Sequence, residues 1–541
     1  MRIETTHRVD HPHRDVVDWH ERPGALIRLT PPGLATPDDP AEGGTRAGRI
    51  VGVRLGPPLL PDVLRPRWVV RHTDSDGQGR FTDRQAHGPW RTWQHEHEIR
   101  PEVAEDPSRT GLHEVIDVEL PRRLSRLEPL AERQIRSVLS FRASQLREDL
   151  DFHARFAGTP RRTIAITGSS GLIGTQLAAL LESGGHTVRR MIREDAVGPG
   201  EIAWDPRAGV LDPGDLEGVD VVINLAGRSI ATRWTKAARR QIYESRIHGT
   251  ALLARTLARM DNGPRALVQA SAVGYYGGQR PGELLTESDP GGEGFLAEVV
   301  RDWEAAARPA AEAGVRVAAV RTGVVLSDAG GALLPQLPLF LAGVGGRLNH
   351  PEAVTSWITL DDIARVFAHA ALSVDVEGPL NGVAPQPATA HELARTLGKV
   401  LRRPALVPVP GFGPRLVLGA EGARELVQAD QDVSDARLQA SGFHAAHGEL
   451  EQALRTCCGG EPLPGLGASA CCPVGCLGPL SGLFMLVLWR ALQGCSAGCW
   501  VNVSVFWDIG SAVPSASSAS TAPSVSASSA SSSTGVCRAE G

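Results

Sequence analysis

Three groups of residues have types and spacing that could do chemistry. The first is the glycine triplet of Thr163-Ile-Ala-Ile-Thr-Gly-Ser-Ser-Gly-Leu-Ile-Gly174. A β-branched run leads into it, and an apolar helical pattern (Leu172, Ile173, Leu177, Leu180, Leu181) leaves it. Strand, tight turn and helix N-terminus in that order suit a dinucleotide pyrophosphate, because the first N–H groups of a helix are unpaired and carry partial positive charge. Gly168 lets the chain turn, Gly171 lets the backbone approach the phosphates, and Gly174 lets the helix pack on the strand. The expected cofactor contacts are Gly168, Ser169, Ser170, Gly171, Leu172, Ile173 and Gly174.

The second group is Ser271, Tyr275 and Tyr276, at the end of Ala266-Leu-Val-Gln-Ala-Ser-Ala-Val-Gly-Tyr-Tyr-Gly277. Strand C-termini line the ligand crevice of open α/β sheets, so these hydroxyls stand where proton transfer to a small-molecule substrate would occur. The competing role for both tyrosines is packing beside the cofactor. The third group is His95 and His97, two apart on an expected strand and therefore on one face. No third metal ligand is evident from the sequence, so the pair reads as hydrogen-bonded or solvent-facing, and no metal is expected.

The elements that must position these groups follow from pattern. Runs with strand character recur at 25–29, 50–55, 68–72, 92–99 and 113–118, and a helical stretch carrying Leu130, Ile135, Val138, Leu139, Leu146 and Leu150 closes the unit. Strands followed by one long helix make residues 1–155 an α+β unit. A Gly/Pro-containing connector leads to a second unit, 163–402. There, His186 to Arg193 reads as the second strand, Val219 to Gly227 as a strand buried on both faces, and 236–260 as a long helix. Leu225, Ala226 and Gly227 put small and apolar groups beside the cofactor. The second strand ends in Arg193, whose guanidinium suits a ribose 2′-phosphate, so NADP is expected over NAD; the alternative is Glu194 taking the ribose of NAD.

Composition narrows the class. The 541 residues, with 42% hydrophobic and 22% charged content, suffice for about three domains at ~100–200 residues each. A net charge of −5 argues against nucleic-acid binding. All eight cysteines lie beyond residue 456, which suits a reducing compartment for the rest. The opening MRIETTHRVDHPHRDVV has no apolar stretch, and cytoplasmic residence is expected. Residues 403–455 read as a small helical region on the substrate side. Residues 456–541 change composition abruptly, and we expect a disordered or frameshifted tail. Its apolar run is interrupted by Arg490, so a membrane anchor is not expected.

The first unit resembles the START-like, helix-grip family of polyketide-cyclase-type domains, through Trp19-His-Glu-Arg-Pro-Gly-Ala25, Arg28-Leu-Thr-Pro-Pro32, Phe81-Thr-Asp-Arg-Gln85, Gly88-Pro-Trp90 and His95-Glu-His97. That resemblance implies a curved sheet around a helix with a pocket for an apolar ligand. The second unit resembles the extended or atypical short-chain dehydrogenase/reductase superfamily and, within it, the epimerase-family branch. The matching motifs are Thr167-Gly-Ser-Ser-Gly-Leu-Ile-Gly174, Asn224-Leu-Ala-Gly227, Arg233-Trp-Thr235, Ser245-Arg246, Ser271 to Gly277, Arg321-Thr-Gly-Val-Val-Leu326, Ser356-Trp-Ile358 and Asp361-Asp362. The resemblance implies a Rossmann fold, a doubly wound parallel sheet, with an NAD(P)-dependent oxidoreductase or epimerase activity.

One departure matters. The superfamily's chemistry uses Tyr-x-x-x-Lys on a helix, the lysine lowering the tyrosine pKa for proton transfer. The chain has three tyrosines, Tyr243, Tyr275 and Tyr276, and two lysines, Lys236 and Lys399, and none are so spaced. Phe295 and Val299 stand at those positions. Either Tyr275, Tyr276 and Ser271 carry an atypical mechanism, with Asp302, Glu298 and Glu304 as weaker candidates and Arg228 or Arg233 holding an anionic substrate, or the protein binds a dinucleotide without catalysis.

Overall fold

The computed structural model describes residues 1–458 apart from 39–42, 59, 104–105, 194–197 and 199. Glu194, and the tail from 459 with its paired cysteines, apolar run and Ser/Ala stretch, lie outside the described residues.

The first unit is a curled, seven-stranded antiparallel sheet. Its strands are β1 (Arg2–Val9), β2 (Ala35–Pro37), β3 (Ile50–Leu55), β4 (Arg67–Ser75), β5 (Arg80–His87), β6 (Thr92–Val103) and β7 (Asp106–Glu119), in spatial order β1-β7-β6-β5-β4-β3-β2. Helices α1 (His13–Glu21), α2 (Ala25–Arg28) and α3 (Glu128–Ala154) complete it. The 27-residue α3 buries Ala131, Ile135 and Leu139 against Ile3, Trp90, Trp93, Ile116 and Val118 of the sheet. Residues 25–29 correct the sequence expectation. They form α2, not a strand, because Gly24 at φ +87° turns the chain tightly and a four-residue helix follows with Arg28 buried. A run this short carries too few residues for its periodicity to tell helix from strand.

The second sheet has order β11-β10-β9-β8-β12-β13-β15-β20. Its members are β8 (Thr163–Thr167), β9 (Thr187–Ile192), β10 (Glu201–Asp205), β11 (Val210–Leu211), β12 (Val221–Asn224), β13 (Ala266–Ala272), β15 (Arg316–Thr322) and β20 (Gly378–Gly382). Every pairing is parallel except β10 with β11. All four residues of β12 are buried, as a strand covered on both faces requires. Helices α4 (Leu172–Ser183) and α9 (Leu360–Leu372) pack one face; α5 (Lys236–Leu257), α6 (Phe295–Ala305) and α7 (Arg308–Glu312) pack the other. The strand order reverses between β8 and β12, which puts the crevice of a doubly wound sheet at their C-terminal ends.

Short strands tie the remainder together. They are β14 (Gln279–Leu285), β16 (Val324–Ser327), β17 (Gly330–Gly331), β18 (Val354–Thr355), β19 (Trp357–Thr359), β21 (Ala388–Thr389) and β22 (Asp430–Val433). The C-terminal region is not purely helical, because β22 pairs with β14 from the sheet's ligand side. Around it lie α8 (Leu337–Leu341), α10 (Ala390–Leu401), α11 (Phe412–Leu426, broken at Gly419), α12 (Ala436–Ala440) and α13 (Leu450–Cys458). α13 carries the folded chain past the expected boundary at 455, with Ala453, Leu454 and Cys458 buried on its apolar face.

A buried ionic network joins the two large units. Arg28 makes a bidentate pair with Asp149 (2.8 and 2.8 Å) and reaches Gln176 and Asp361 (2.8 Å each). Arg365 of α9 contacts Glu148 (2.9 Å), Asp149 (3.3 Å) and Asp362 (3.3 Å). Asp362 in turn accepts from the backbone N–H groups of Ala446 and His447 (2.9 Å each). Burial alone would raise the Asp149 carboxyl, but Arg28 outweighs it and holds the group at about 2. Burial would lower the His447 ring, yet Asp362 and Glu148 hold it up at about 10. The Asp361-Asp362 pair of the sequence motif therefore serves this joint and not the crevice.

Removing one partner of such a pair strands the other charge. Asp149→Ala is expected to lower the unfolding free energy by ~3–5 kcal/mol, read by denaturant titration; an unchanged midpoint refutes it. Because the folded His447 value stands above the unfolded one, its stabilisation is full below pH ~6.5 and is lost as pH rises through about 10. The thermal midpoint should fall across that window, and His447→Gln should flatten the fall.

Candidate functional site

The glycine turn is built as its spacing implies. Gly168 has φ +66°, and a Cβ there would lie 3.0 Å from the Leu225 carbonyl carbon on the neighbouring strand's exit. A Cβ on Gly174 would fall 2.2 Å from the Gly168 oxygen, so only glycine lets α4 sit this close. Gly171 has φ −77° and caps α4 from extended backbone, so its role is the space above it and not a left-handed turn. No side chain among the described residues caps α4. Its first N–H groups, with exposed Ser170 and Gly171, are open at the crevice mouth, where they can receive an anion. Ser169 is buried, and Leu172 and Ile173 are half-buried.

Thr167 organises the adjoining loop. Its hydroxyl donates to Asn224 Oδ1 (2.7 Å) and accepts from the backbone N–H groups of Leu225 and Ala226 (3.1 Å each). Asn224 then donates to Thr250 (2.8 Å), which also accepts from Trp303 Nε1 (2.9 Å). Gly227 lies against Arg246, whose guanidinium would be 3.1 Å from a Cβ at that position. Among the described residues Arg246 donates to the Arg228 and Ile242 carbonyls (2.9 and 3.2 Å), and it sits 5.0 Å over the Trp303 ring. It has no carboxylate partner among the described residues, and burial lowers its pKa to about 10. An unmatched cation beside the turn draws anions, a role that Ser245-Arg246 did not carry in the sequence reading. Arg193 stands one residue beyond β9, exposed to solvent.

Ser271, Tyr275 and Tyr276 come together, but around an inner ion pair. Ser271 Oγ donates to Glu304 Oε1 (2.6 Å), and Arg321 pairs with Glu304 through two bonds of 2.9 Å. Tyr276 Oη accepts from Arg321 (3.0 Å) and donates to Asn381 Oδ1 (2.8 Å). The ring of Tyr275 lies 3.5 Å under the Arg321 guanidinium. Tyr276 is fully buried, and that burial raises its pKa. Both tyrosines sit on a 3-10 turn, Val273–Tyr276, that follows the strand. Arg321 is thus the hub of the cluster, a role that its motif alone does not reveal.

The other candidates disperse. Phe295 and Val299 are buried with Ile242 in an apolar cluster, Arg239 lying 4.3 Å over the Phe295 ring. Asp302 accepts from Tyr243 (2.7 Å), Glu298 and Arg228 are exposed, and Arg233 donates to the Leu416 carbonyl (3.0 Å).

In the N-terminal unit, His95 and His97 both point inward, as period two requires, and both are buried. They line a cavity of about 200 Å³ together with Phe81, Asp83, Trp93 and Arg142. They are neither solvent-facing nor short of a third carboxylate or imidazole neighbour. Asp83 reaches them from β5 and Glu114 from β7, which the sequence separates by 31 residues.

The reversed strand order, the glycine turn and the uncapped α4 define a dinucleotide-binding α/β protein. A family model described as NAD dependent epimerase/dehydratase family matches residues 164–332, and one for a domain of unknown function (DUF1731) matches 409–457. An epimerase family protein of Mycobacterium bovis is 40% identical over 292 residues, 54% of this chain and 96% of that protein. The human epimerase family protein SDR39U1 is 36% identical over 296 residues, 54% of this chain and 98% of its own. Among solved structures, one titled a nucleoside-diphosphate sugar epimerase from Corynebacterium glutamicum superposes with TM-score 0.69 at 31% identity, covering 91% of this chain and 98% of that one. The human SDR39U1 structure with NADPH matches at TM-score 0.50 and 34% identity, over 55% of this chain and 98% of its own. The chain belongs to the NAD-dependent epimerase/dehydratase family. No helix among the described residues is long and apolar enough to cross a membrane.

Packing at the turn sets the cost of a single methyl. Gly174→Ala must push α4 off the Gly168 carbonyl, and we expect a loss of ~1–3 kcal/mol from overpacking, measured by thermal unfolding. A midpoint equal to the parent's counts against this reading of the turn.

Proposed function

We propose that this protein binds NADP at the Gly168–Gly174 turn and acts on a small-molecule substrate as an NAD(P)-dependent oxidoreductase or epimerase of atypical mechanism. The carrying observation is the uncapped α4 N-terminus behind a turn that tolerates no Cβ at Gly174. The residues fit a pyrophosphate there: Gly168 to Gly174 supply N–H groups, and Leu225, Ala226 and Gly227 flank it. Arg193 is free to meet a 2′-phosphate, and the human relative's structure with NADPH supports the same choice. A bound nicotinamide supplies hydride transfer; the chain supplies orientation and charge. Arg246, unmatched and next to Gly227, is suited to an anionic group of the substrate or cofactor.

Catalysis falls to Ser271, Tyr275 and Tyr276 on this reading. A second reading is favoured by a specific observation. The Ser271 and Tyr276 hydroxyls are already spent on Glu304 and Asn381, and apolar Phe295 and Val299 occupy the superfamily's acid–base positions. That arrangement supports a dinucleotide-binding sensor or scaffold. We also propose the division into 1–155, 163–402 and 403–455, the first unit being a START-like helix-grip domain whose cavity takes an apolar ligand, and cytoplasmic residence.

Titration calorimetry with NADPH and NADH tests the core of this. Arg193→Ala should weaken NADPH about tenfold, near the ~1.5 kcal/mol of one hydrogen bond to a charged group, and leave NADH unchanged. Absence of affinity for either nucleotide rejects the proposal. NADPH oxidation across a panel of carbonyl compounds, with Ser271→Ala and Tyr276→Phe beside the parent, separates enzyme from sensor.

A further inference from the structure

We propose that Asp83, His95 and His97 form a binding site for a divalent transition-metal ion of the zinc class, with one coordination position open to the N-terminal cavity. Their ligand atoms lie within 4.8 Å of one another, and the side chains are nearly or fully enclosed. Asp83 Oδ2 is 3.1 Å from His97 Nε2 and 3.7 Å from His95 Nδ1. Two ligands held ~2.1 Å from one ion at a tetrahedral angle stand ~3.4 Å apart. The two carboxylate–imidazole separations bracket that value, and the two ring nitrogens lie within 4.8 Å of each other.

The opposite edges of both rings meet a second carboxylate. Glu114 Oε1 is 3.2 Å from His95 Nε2 and 3.4 Å from His97 Nδ1. All four ring nitrogens therefore face carboxylate oxygens, while two neutral imidazoles bring only two N–H groups. His97 Nε2 hydrogen-bonds Asp83 Oδ2 (3.1 Å), so an entering ion would displace that proton; with the remaining N–H groups turned to Glu114, the two nitrogens facing Asp83 become lone pairs, as metal ligands must be. A carboxylate behind a ligating histidine is the usual orienting partner of such sites. Trp93 Nε1 donates to Asp83 Oδ1 (3.3 Å), which fixes the carboxylate and leaves Oδ2 for the ion.

The cavity decides which edge is the metal edge. Asp83, His95 and His97 line the 200 Å³ space, and Glu114 does not. The fourth position then faces that space, where an oxygen atom of a bound molecule or a water would complete the coordination. Phe81 stacks on His97 at 4.0 Å and the two histidine rings at 3.7 Å, so the donor set is held by packing before any ion arrives. Arg142 lies near both carboxylates from outside the cluster, and a divalent ion would offset further negative charge.

The test uses the purified full chain, stripped by chelator and titrated with Co²⁺ while visible absorption is recorded. We expect one equivalent bound with the bands of a tetrahedral nitrogen/oxygen site, displaced by Zn²⁺. The His95→Gln/His97→Gln variant should bind about a hundredfold more weakly or not at all, and Glu114→Gln ~10–100-fold more weakly, with circular dichroism unchanged. X-ray absorption of the unmutated zinc-loaded chain gives a readout that needs no variant, and two imidazoles should appear in its first shell. No bound ion, or a first shell of thiolate sulfur alone, overturns the proposal. NADPH affinity measured on the same samples reports on the glycine turn separately.

Discussion

The relative placement of the two large sheets rests on charges that have been taken out of water. Arg28 and Asp149 are both essentially unexposed, and Arg365 beside them is almost so. Burying ions costs several kcal/mol each, and that cost is offset only where the pairing geometry is near ideal. The Arg28 fork meets Asp149 through two bonds of equal length, the planar arrangement a guanidinium and a carboxylate prefer. An apolar joint of the same area could slide, since burial has no direction; a bidentate pair has one geometry. The joint also draws on four separate stretches of chain: α2 and α3 from the first unit, α9 from the second, and His447 after α12. Gly24 makes the approach close enough, because a Cβ there would lie 2.3 Å from the Ala179 oxygen of α4. The helix whose N-terminus forms the candidate phosphate seat is thereby braced from behind by the first unit.

What the sequence disclosed follows the range of the forces involved. The glycine turn, the buried β12 and the long α5 are set by local pattern: backbone freedom at Gly168, apolar continuity from Val221 to Ile223, and a Thr235 side chain capping α5. These were legible. The partners of Ser271, Tyr276 and His95 were not, because they come from residues 33, 105 and 19 positions away and arrive only when helix and strands pack in the folded chain. Asp83 lies on the strand beside His95 in the register Asp83↔His95, a relation that no spacing rule encodes. Residues 25–29 misled for another reason. A five-residue stretch, Ala25-Leu-Ile-Arg-Leu29, has no period long enough to measure, and the left-handed Gly24 that starts the helix looks like any turn glycine.

Arg321 shows how a residue can matter to a site without meeting a ligand. Its guanidinium satisfies Glu304, carries the Tyr276 hydroxyl and roofs the Tyr275 ring. Glu304 on α6 and Asn381 on β20 are thereby tied to β13 and β15 at the crevice floor. A hydroxyl held between a guanidinium and an amide oxygen already has its donor and its acceptor. Proton transfer from Tyr276 would require breaking a bond to Asn381 inside a buried cluster, and burial itself disfavours the phenolate. The geometry gives Tyr276 a strong positioning role and makes Tyr275, half-buried and stacked but without that double engagement, the more accessible of the two.

The two ends of the crevice are therefore constrained in opposite senses. At α4 no side chain among the described residues caps the first backbone N–H groups, which water or a ligand must then satisfy. At α6 the positions that carry proton transfer elsewhere in the superfamily are filled by Phe295 and Val299, packed with Ile242 and roofed by Arg239. Neither a phenyl ring nor an isopropyl group can give, take or relay a proton. A proton needed beside the nicotinamide position must then come from solvent, from the bound molecule or from a group across the crevice. One sheet thus carries close backbone packing at Gly168 and Gly174 beside one end of the crevice and apolar side-chain packing around Phe295 and Val299 beside the other.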